Sequence, residues 1–105
     1  RDSYVVMEVE AEMKALMSML GELTRDPSNP TLAVLGTREG GGRIIVASTE
    51  GSLAEERHNA VDILNSISVH IRGGGGGSRT MAQGGGSNPD GIPQALDSAR
   101  EILGL

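Results

Sequence analysis

The chain has 105 residues, 37% of them hydrophobic, and a formal net charge of -5, a length that favours one domain built on a single modest core. Phe, Trp and Cys are absent and Tyr4 is the only aromatic residue. This argues against base stacking on aromatic platforms and against a polyanion binder working by bulk charge, and it excludes disulfide staples and thiolate metal sites. No apolar stretch approaches the roughly 20 residues that span a bilayer, and no signal-peptide order opens the chain. A cytoplasmic location without membrane contact is expected. Because the sequence opens at Arg1 without Met, it is expected to be an excised part of a longer protein.

In chain order, Tyr4, Val5, Val6, Met7 and Val9 form a short β-rich apolar run, read as a strand over residues 3–9. Met13, Leu16, Met17, Leu20 and Leu23 then recur at spacings of three and four, which predicts one apolar face on a helix over residues 11–24. Pro27 and Pro30 end it. Residues 31–36 and 43–48 read as two strands of an antiparallel hairpin whose connection carries Gly40, Gly41 and Gly42. A second helix is expected to start near Ser52, with Glu55 completing a capping box, and to run to Arg72 with Ala60, Leu64, Ile67 and Ile71 on its apolar face. The last helix buries Ile92, Leu96, Ala99 and Leu103, tolerates Pro93 in its first turn and stops at Gly104. The prediction is a single small α/β domain over residues 1–105, a mixed β-sheet packed with helices in the order β-α-β-β-α-(Gly loop)-α. A further short strand could lie within residues 80–83.

Half of the sixteen glycines lie in residues 73–86, GGGGGSRTMAQGGG. Glycine lets backbone amides approach another molecule closely, so successive amides can form a concave nest for a phosphate oxygen. A flexible linker is the plain alternative. Against it, Arg79, Met81 and Gln83 interrupt the glycines, and the helix that follows must return to a core. The segment is not a Walker loop, because the chain's only Lys is Lys14, and not a Rossmann fingerprint, because the glycines follow a helix instead of a strand.

This run resembles the glycine-rich signature of the C-terminal domain of alanyl-tRNA synthetases, part of the wider DHH-associated domain family. Met81, Ala82, Gln83, Gly84 and Gly85 are its most specific part, and residues 59–64, NAVDIL, resemble the stretch preceding it. The family commonly carries Arg-Pro-Asp where this chain has Ser78, Arg79 and Thr80, and relatives often place a Lys within the first glycine run. The resemblance, taken as archaeal in type, implies a noncatalytic tRNA-binding module that contacts the outer corner of tRNA(Ala) and contributes to dimerisation, within a parent alanine-tRNA ligase. It implies no cofactor in this fragment and no DNA partner. Arg72, Gly75, Gly76, Gly77, Ser78, Arg79, Gln83, Gly84 and Gly85 are the expected RNA contacts. The same domain type also accompanies DHH phosphodiesterase domains, where a His binds substrate phosphate at the position of Ser78. An accessory substrate-binding domain of such an enzyme is therefore the alternative, with a pure self-association module beside it.

The other chemistry-bearing residues favour plainer readings. Arg38 and Arg43 flank the tip of the first hairpin, as solvated charges or phosphate contacts. His58 and His70 lie twelve residues apart, which is not a helical metal-ligand spacing, and read as structural histidines. No Ser, His and Asp arrangement marks a nucleophile, and no catalytic residue is expected.

Overall fold

The computed structural model describes residues 3–51 and 58–105. Five strands form one mixed sheet: β1 (Ser3–Glu8), β2 (Thr31–Thr37), β3 (Gly42–Ser48), β4 (Gly73–Gly77) and β5 (Met81–Gly86). Their spatial order is β1-β2-β3-β5-β4. β1 runs parallel to β2, and every other neighbouring pair is antiparallel. The crossover that a parallel pair requires is helix α1 (Met13–Thr24). Helices α2 (Ala60–Ile67) and α3 (Ile92–Leu103) are the other two α-helices among the described residues.

Strand periodicity sorts the core into two halves. Leu32, Val34, Ile44 and Val46 face α2 and α3 and pack on Leu64, Ile67, Ile92 and Leu96. Ala33, Leu35, Ile45 and Ala47 face the other way, under Leu16 and Leu20 of α1. β2 and β3 are therefore covered on both faces, which is why their sequences read as continuous apolar runs. Burial of Leu16 and Leu20 contributes about 1.5–3 kcal/mol each.

The expected order of elements is found, with the glycine segment folded as two further strands. The strand suspected within residues 80–83 is β5, and it continues to Gly86. The first glycine run, read as part of a loop, is β4, because its backbone pairs with β5 from Gly73 opposite Gly86 to Gly77 opposite Ala82. The single helix expected from Ser52 to Arg72 is not continuous, because His58 and Asn59 are not helical. Ser52 and Glu55 lie outside the described residues, and the helix that carries Ala60 and Leu64 begins only after Asn59, whose side chain accepts a hydrogen bond from the Val61 amide at 3.1 Å. It ends at Ile67, and a 3-10 turn over Ser68–Ile71 leads to Arg72. Helix α1 also buries a narrower stripe than its spacing suggests, since Met17 and Leu23 remain 40% and 37% exposed. The helix lies over β2 and β3 but not over β5, which leaves that flank open. The final helix follows its pattern, with Ile92, Leu96, Ala99 and Leu103 buried and Gly104 left-handed at φ 77°.

Candidate functional site

The β4–β5 hairpin has two unlike faces. Gly73, Gly75 and Gly77 stand opposite Gly86, Gly84 and Ala82, and Ala82 belongs to the core under α2. On this side a Cβ at Gly75 would run into the Gln83 carbonyl, one at Gly73 into the Gly85 carbonyl, and one at Gly77 into the Met81 carbonyl. Glycine here is a packing requirement. The other side carries Gly74, Gly76, Gln83 and Gly85, and a Cβ on Gly74 or Gly76 would meet nothing within 4 Å. The result is a bare, solvent-facing patch of peptide backbone with one amide side chain, that of exposed Gln83.

Both ends of the hairpin are fastened. At its tip, the Ser78 amide donates to the Met81 carbonyl at 2.7 Å, the Arg79 carbonyl accepts from the Ala60 amide at 2.9 Å, and the Thr80 carbonyl accepts from Ser48 at 2.9 Å. The Ala60 amide is among the first of α2, a donor with no partner inside its own helix. At the base, the Asn88 side chain donates to the His70 carbonyl at 3.0 Å and the Asn88 amide to the Ile71 carbonyl at 2.9 Å. Arg72 enters β4 from a left-handed conformation, φ 54° and ψ 49°, and is the one non-glycine residue with positive φ among the described residues.

The structure divides the residues expected to contact RNA. Gly76, Gln83 and Gly85 share the open face, Gly75, Gly77 and Gly84 face α2, Ser78 and Arg79 form the exposed tip, and Arg72 stands at the base. The alternating ladder with β5 replaces the concave nest of successive amides. Two further members are Gly74, which was missed, and Arg43, which the sequence offered only as a charge flanking the tip of the first hairpin. Gly74 lies on the open face beside Gly85, and a strand-period reading of the glycine run would have found it. Arg43 lies across from Gly85 on β3, about 3.8 Å from where a Gly85 side chain would begin; only the sheet order reveals that neighbour.

Charge is partitioned along with shape. Arg25, Arg38 and Arg100 pair with Glu22, Glu8 and Asp97, at 3.3, 2.8 and 2.8 Å. Among the described residues, Lys14, Arg43 and Arg72 make no side-chain hydrogen bond or ion pair, and Arg43 and Arg72 adjoin the hairpin. His58 packs edge-on against Tyr4 at 6.4 Å, a structural placement. No group of three or more His, Cys, Asp or Glu able to hold a metal occurs among the described residues. No helix there is long and apolar enough to cross a membrane.

A family model described as the DHHA1 domain matches residues 1–105. The chain belongs to the DHHA1 domain family. It is similar to an alanine-tRNA ligase of Pediococcus pentosaceus, 36% identical over 90 residues that cover 83% of this chain and 10% of the relative. A second, from Methanothrix thermoacetophila, is 44% identical over 66 residues covering 63% of this chain and 7% of the relative. The crystal structure of the C-Ala domain from Aquifex aeolicus alanyl-tRNA synthetase superimposes with a TM-score of 0.70 at 30% identity, covering 96% of this chain and 88% of that one. This DHHA1 domain is thus an accessory module of the alanyl-tRNA synthetase type, and it spans about a tenth of the length of the curated relatives it matches. With bacterial and archaeal relatives both matching, the likeness reaches across lineages instead of singling out an archaeal type.

Proposed function

We propose that this DHHA1 domain is a noncatalytic tRNA-binding module of a cytoplasmic alanyl-tRNA synthetase, holding the folded corner of tRNA(Ala) on the open face of the glycine hairpin without a cofactor. The observation that carries the reading is the bareness of Gly74 and Gly76, which packing does not require. A surface free of side chains admits the sugar-phosphate backbone closely, and Gln83 supplies both a donor and an acceptor for a ribose 2′-hydroxyl. Arg72 and Arg79 stand at the two ends of β4 and its turn, where cations can neutralise phosphates. With a net charge of -5 the isolated domain binds modestly, and other tRNA-binding parts of a parent enzyme supply avidity.

The test is titration of labelled tRNA(Ala), alongside a hairpin lacking the folded corner, with wild type, Arg79→Ala and Gly76→Val. Val at position 76 projects from a strand into open space, so the fold persists while the platform is obstructed. Binding of whole tRNA but not the hairpin, weakened tenfold or more by Gly76→Val, supports the reading. Equal binding by wild type and Gly76→Val would remove the glycine face from it.

One observation favours self-association as a second role: β4 is an edge strand, and no described residue donates to its outer backbone groups. Antiparallel pairing of two such edges would bring the Arg72 end of one copy against the Arg79 end of the other. Added salt therefore strengthens a dimer of this kind, whereas it weakens RNA binding. Light scattering over a dilution series at two salt concentrations separates the two. The phosphodiesterase-type reading predicts binding of small phosphorylated ligands instead, and the alanine-tRNA ligases among the relatives favour the synthetase reading.

A further inference from the structure

Resting on the tRNA reading, we infer that Arg43 is a phosphate-anchoring residue of this domain, setting the RNA strand along β5 from the Arg43–Gly85 row toward the Ser78–Arg79 tip. Three observations converge on it. Register is the first: Arg43, Gly85 and Gly74 form one row across β3, β5 and β4, so the guanidinium stands on the margin of the bare face, with Gly85 one strand spacing away, about 5 Å. Preorganisation is the second. Arg43 is half-buried, its side chain running beside Gly85 and beneath the turn at Gly40, where a Cβ would come 3.2 Å from Nε. A guanidinium held in this way loses little freedom when its planar fork meets two phosphate oxygens.

The third observation is charge. The partners that quench Arg38, Glu8 and Asp90, have no counterpart at Arg43, which makes no ion pair or hydrogen bond among the described residues. Glu12, Glu39 and Lys14 line the depression on its other side. The carboxylates of Glu12 and Glu39 therefore oppose a phosphate there, and Lys14 favours one.

The direction of the strand follows from what is blocked. Helix α1 lies over β2 and β3 on this face, and Met17, Gly21 and Thr24 form a wall facing Thr80 and Met81. Chain entering from the open β4 edge can lie along β5 but cannot cross β3. From Arg43 to the row of Met81 is four residues, about 13 Å of strand, and the Ser78–Arg79 tip lies just beyond.

The experiment measures binding of a tRNA(Ala) transcript across a salt series for wild type, Arg43→Gln, Arg43→Lys, Arg38→Gln and Glu39→Gln, with matched thermal melts. Gln retains much of the packed stem and removes the charge. Arg43→Gln is expected to weaken binding about 5- to 20-fold at low salt and to lower the slope of log affinity against log salt by about one. Arg43→Lys keeps the slope and recovers part of the affinity, Arg38→Gln stays within about twofold, and Glu39→Gln tightens binding. If wild type binds and Arg43→Gln matches it in affinity and slope, the assignment of Arg43 is overturned while the tRNA reading stands. If wild type itself does not bind the transcript at low salt, the tRNA reading fails and takes the assignment with it.

Discussion

The carbonyl of Arg79 and the amide of Ala60 are joined by a 2.9 Å hydrogen bond, which ties the tip of the glycine hairpin to the first turn of α2. One contact thereby satisfies a helix-end donor and fixes the turn carrying Ser78 and Arg79. Proline at the first helical position keeps the helix but lacks this donor, and Asn59, at φ -80° and ψ 125°, already has the extended conformation that a following Pro demands. Ala60→Pro should therefore leave α2 formed while releasing the tip. Amide exchange at Ser78 is expected to quicken about 2- to 10-fold, in line with one lost hydrogen bond, with the α2 amides unchanged. Unaltered exchange at Ser78 would mean that the turn holds itself.

Neighbouring glycines in β4 should respond in opposite ways to the same substitution. Gly75→Ala drives a methyl group into the Gln83 carbonyl, and the strand can accept it only by separating from β5, at a cost of about 1–3 kcal/mol or more. Gly76→Ala meets open space and restricts the unfolded chain, a gain of about 0.4–1 kcal/mol. Chemical denaturation of the two variants checks this. Equal destabilisation at both positions would show that the two faces of β4 are not distinct.

Much of this architecture is legible in the sequence where side chains carry a period. The spacing of Ile92, Leu96, Ala99 and Leu103 locates α3, and the apolar runs around Val34 and Ile45 locate β2 and β3. The glycine hairpin defeats such reading because it has almost no side chains to alternate. Its strand character comes from pairing with β5, a tertiary cause that overrides glycine's poor β propensity. Met17 and Leu23 match the helical period of α1 yet stay exposed, since periodicity cannot say how far the sheet extends beneath a helix. The glycines and Arg79 were recognisable as candidate contacts from composition, whereas Arg43, forty-two residues before Gly85, becomes a neighbour only through the β3–β5 register.

The connection from α1 to β2 should show a small acid dependence. Asp26 accepts hydrogen bonds from the Ser28 hydroxyl at 2.7 Å and the Ser28 amide at 2.9 Å, and these hold its carboxyl below its ordinary value of 3.8. A lowered folded-state pKa means that the charged form is the one stabilised, so the contribution is complete above the unfolded value and disappears as pH falls through the folded one. Carboxyl-carbon NMR should place the Asp26 midpoint below 3.8. Ser28→Ala, which removes the larger cause and keeps the amide, should move it partway back. A midpoint indifferent to Ser28→Ala would assign the shift to another source.

Arg72 occupies a left-handed position that glycine usually fills after a helix. Holding a side chain there costs about 1–2 kcal/mol, and among the described residues its guanidinium makes no hydrogen bond or ion pair that offsets this. The left-handed turn lets the Arg72 amide donate to the Ser68 and Val69 carbonyls, which glycine would do without strain, so the retained side chain points to a use outside the fold. Arg72→Gly should thus relieve the backbone, opposed by about 0.4–1 kcal/mol from the freer unfolded chain, and leave stability equal to wild type or up to about 1.6 kcal/mol higher. The same variant should bind tRNA(Ala) more weakly and with a shallower salt dependence, having lost one cation beside β4. Arg72→Ala should lose the same affinity while keeping the strain. If Arg72→Gly instead lowers the melting temperature and leaves RNA affinity intact, Arg72 is there to shape the turn, and the cations offered to RNA are Arg43 near the base of the hairpin and Arg79 at its tip.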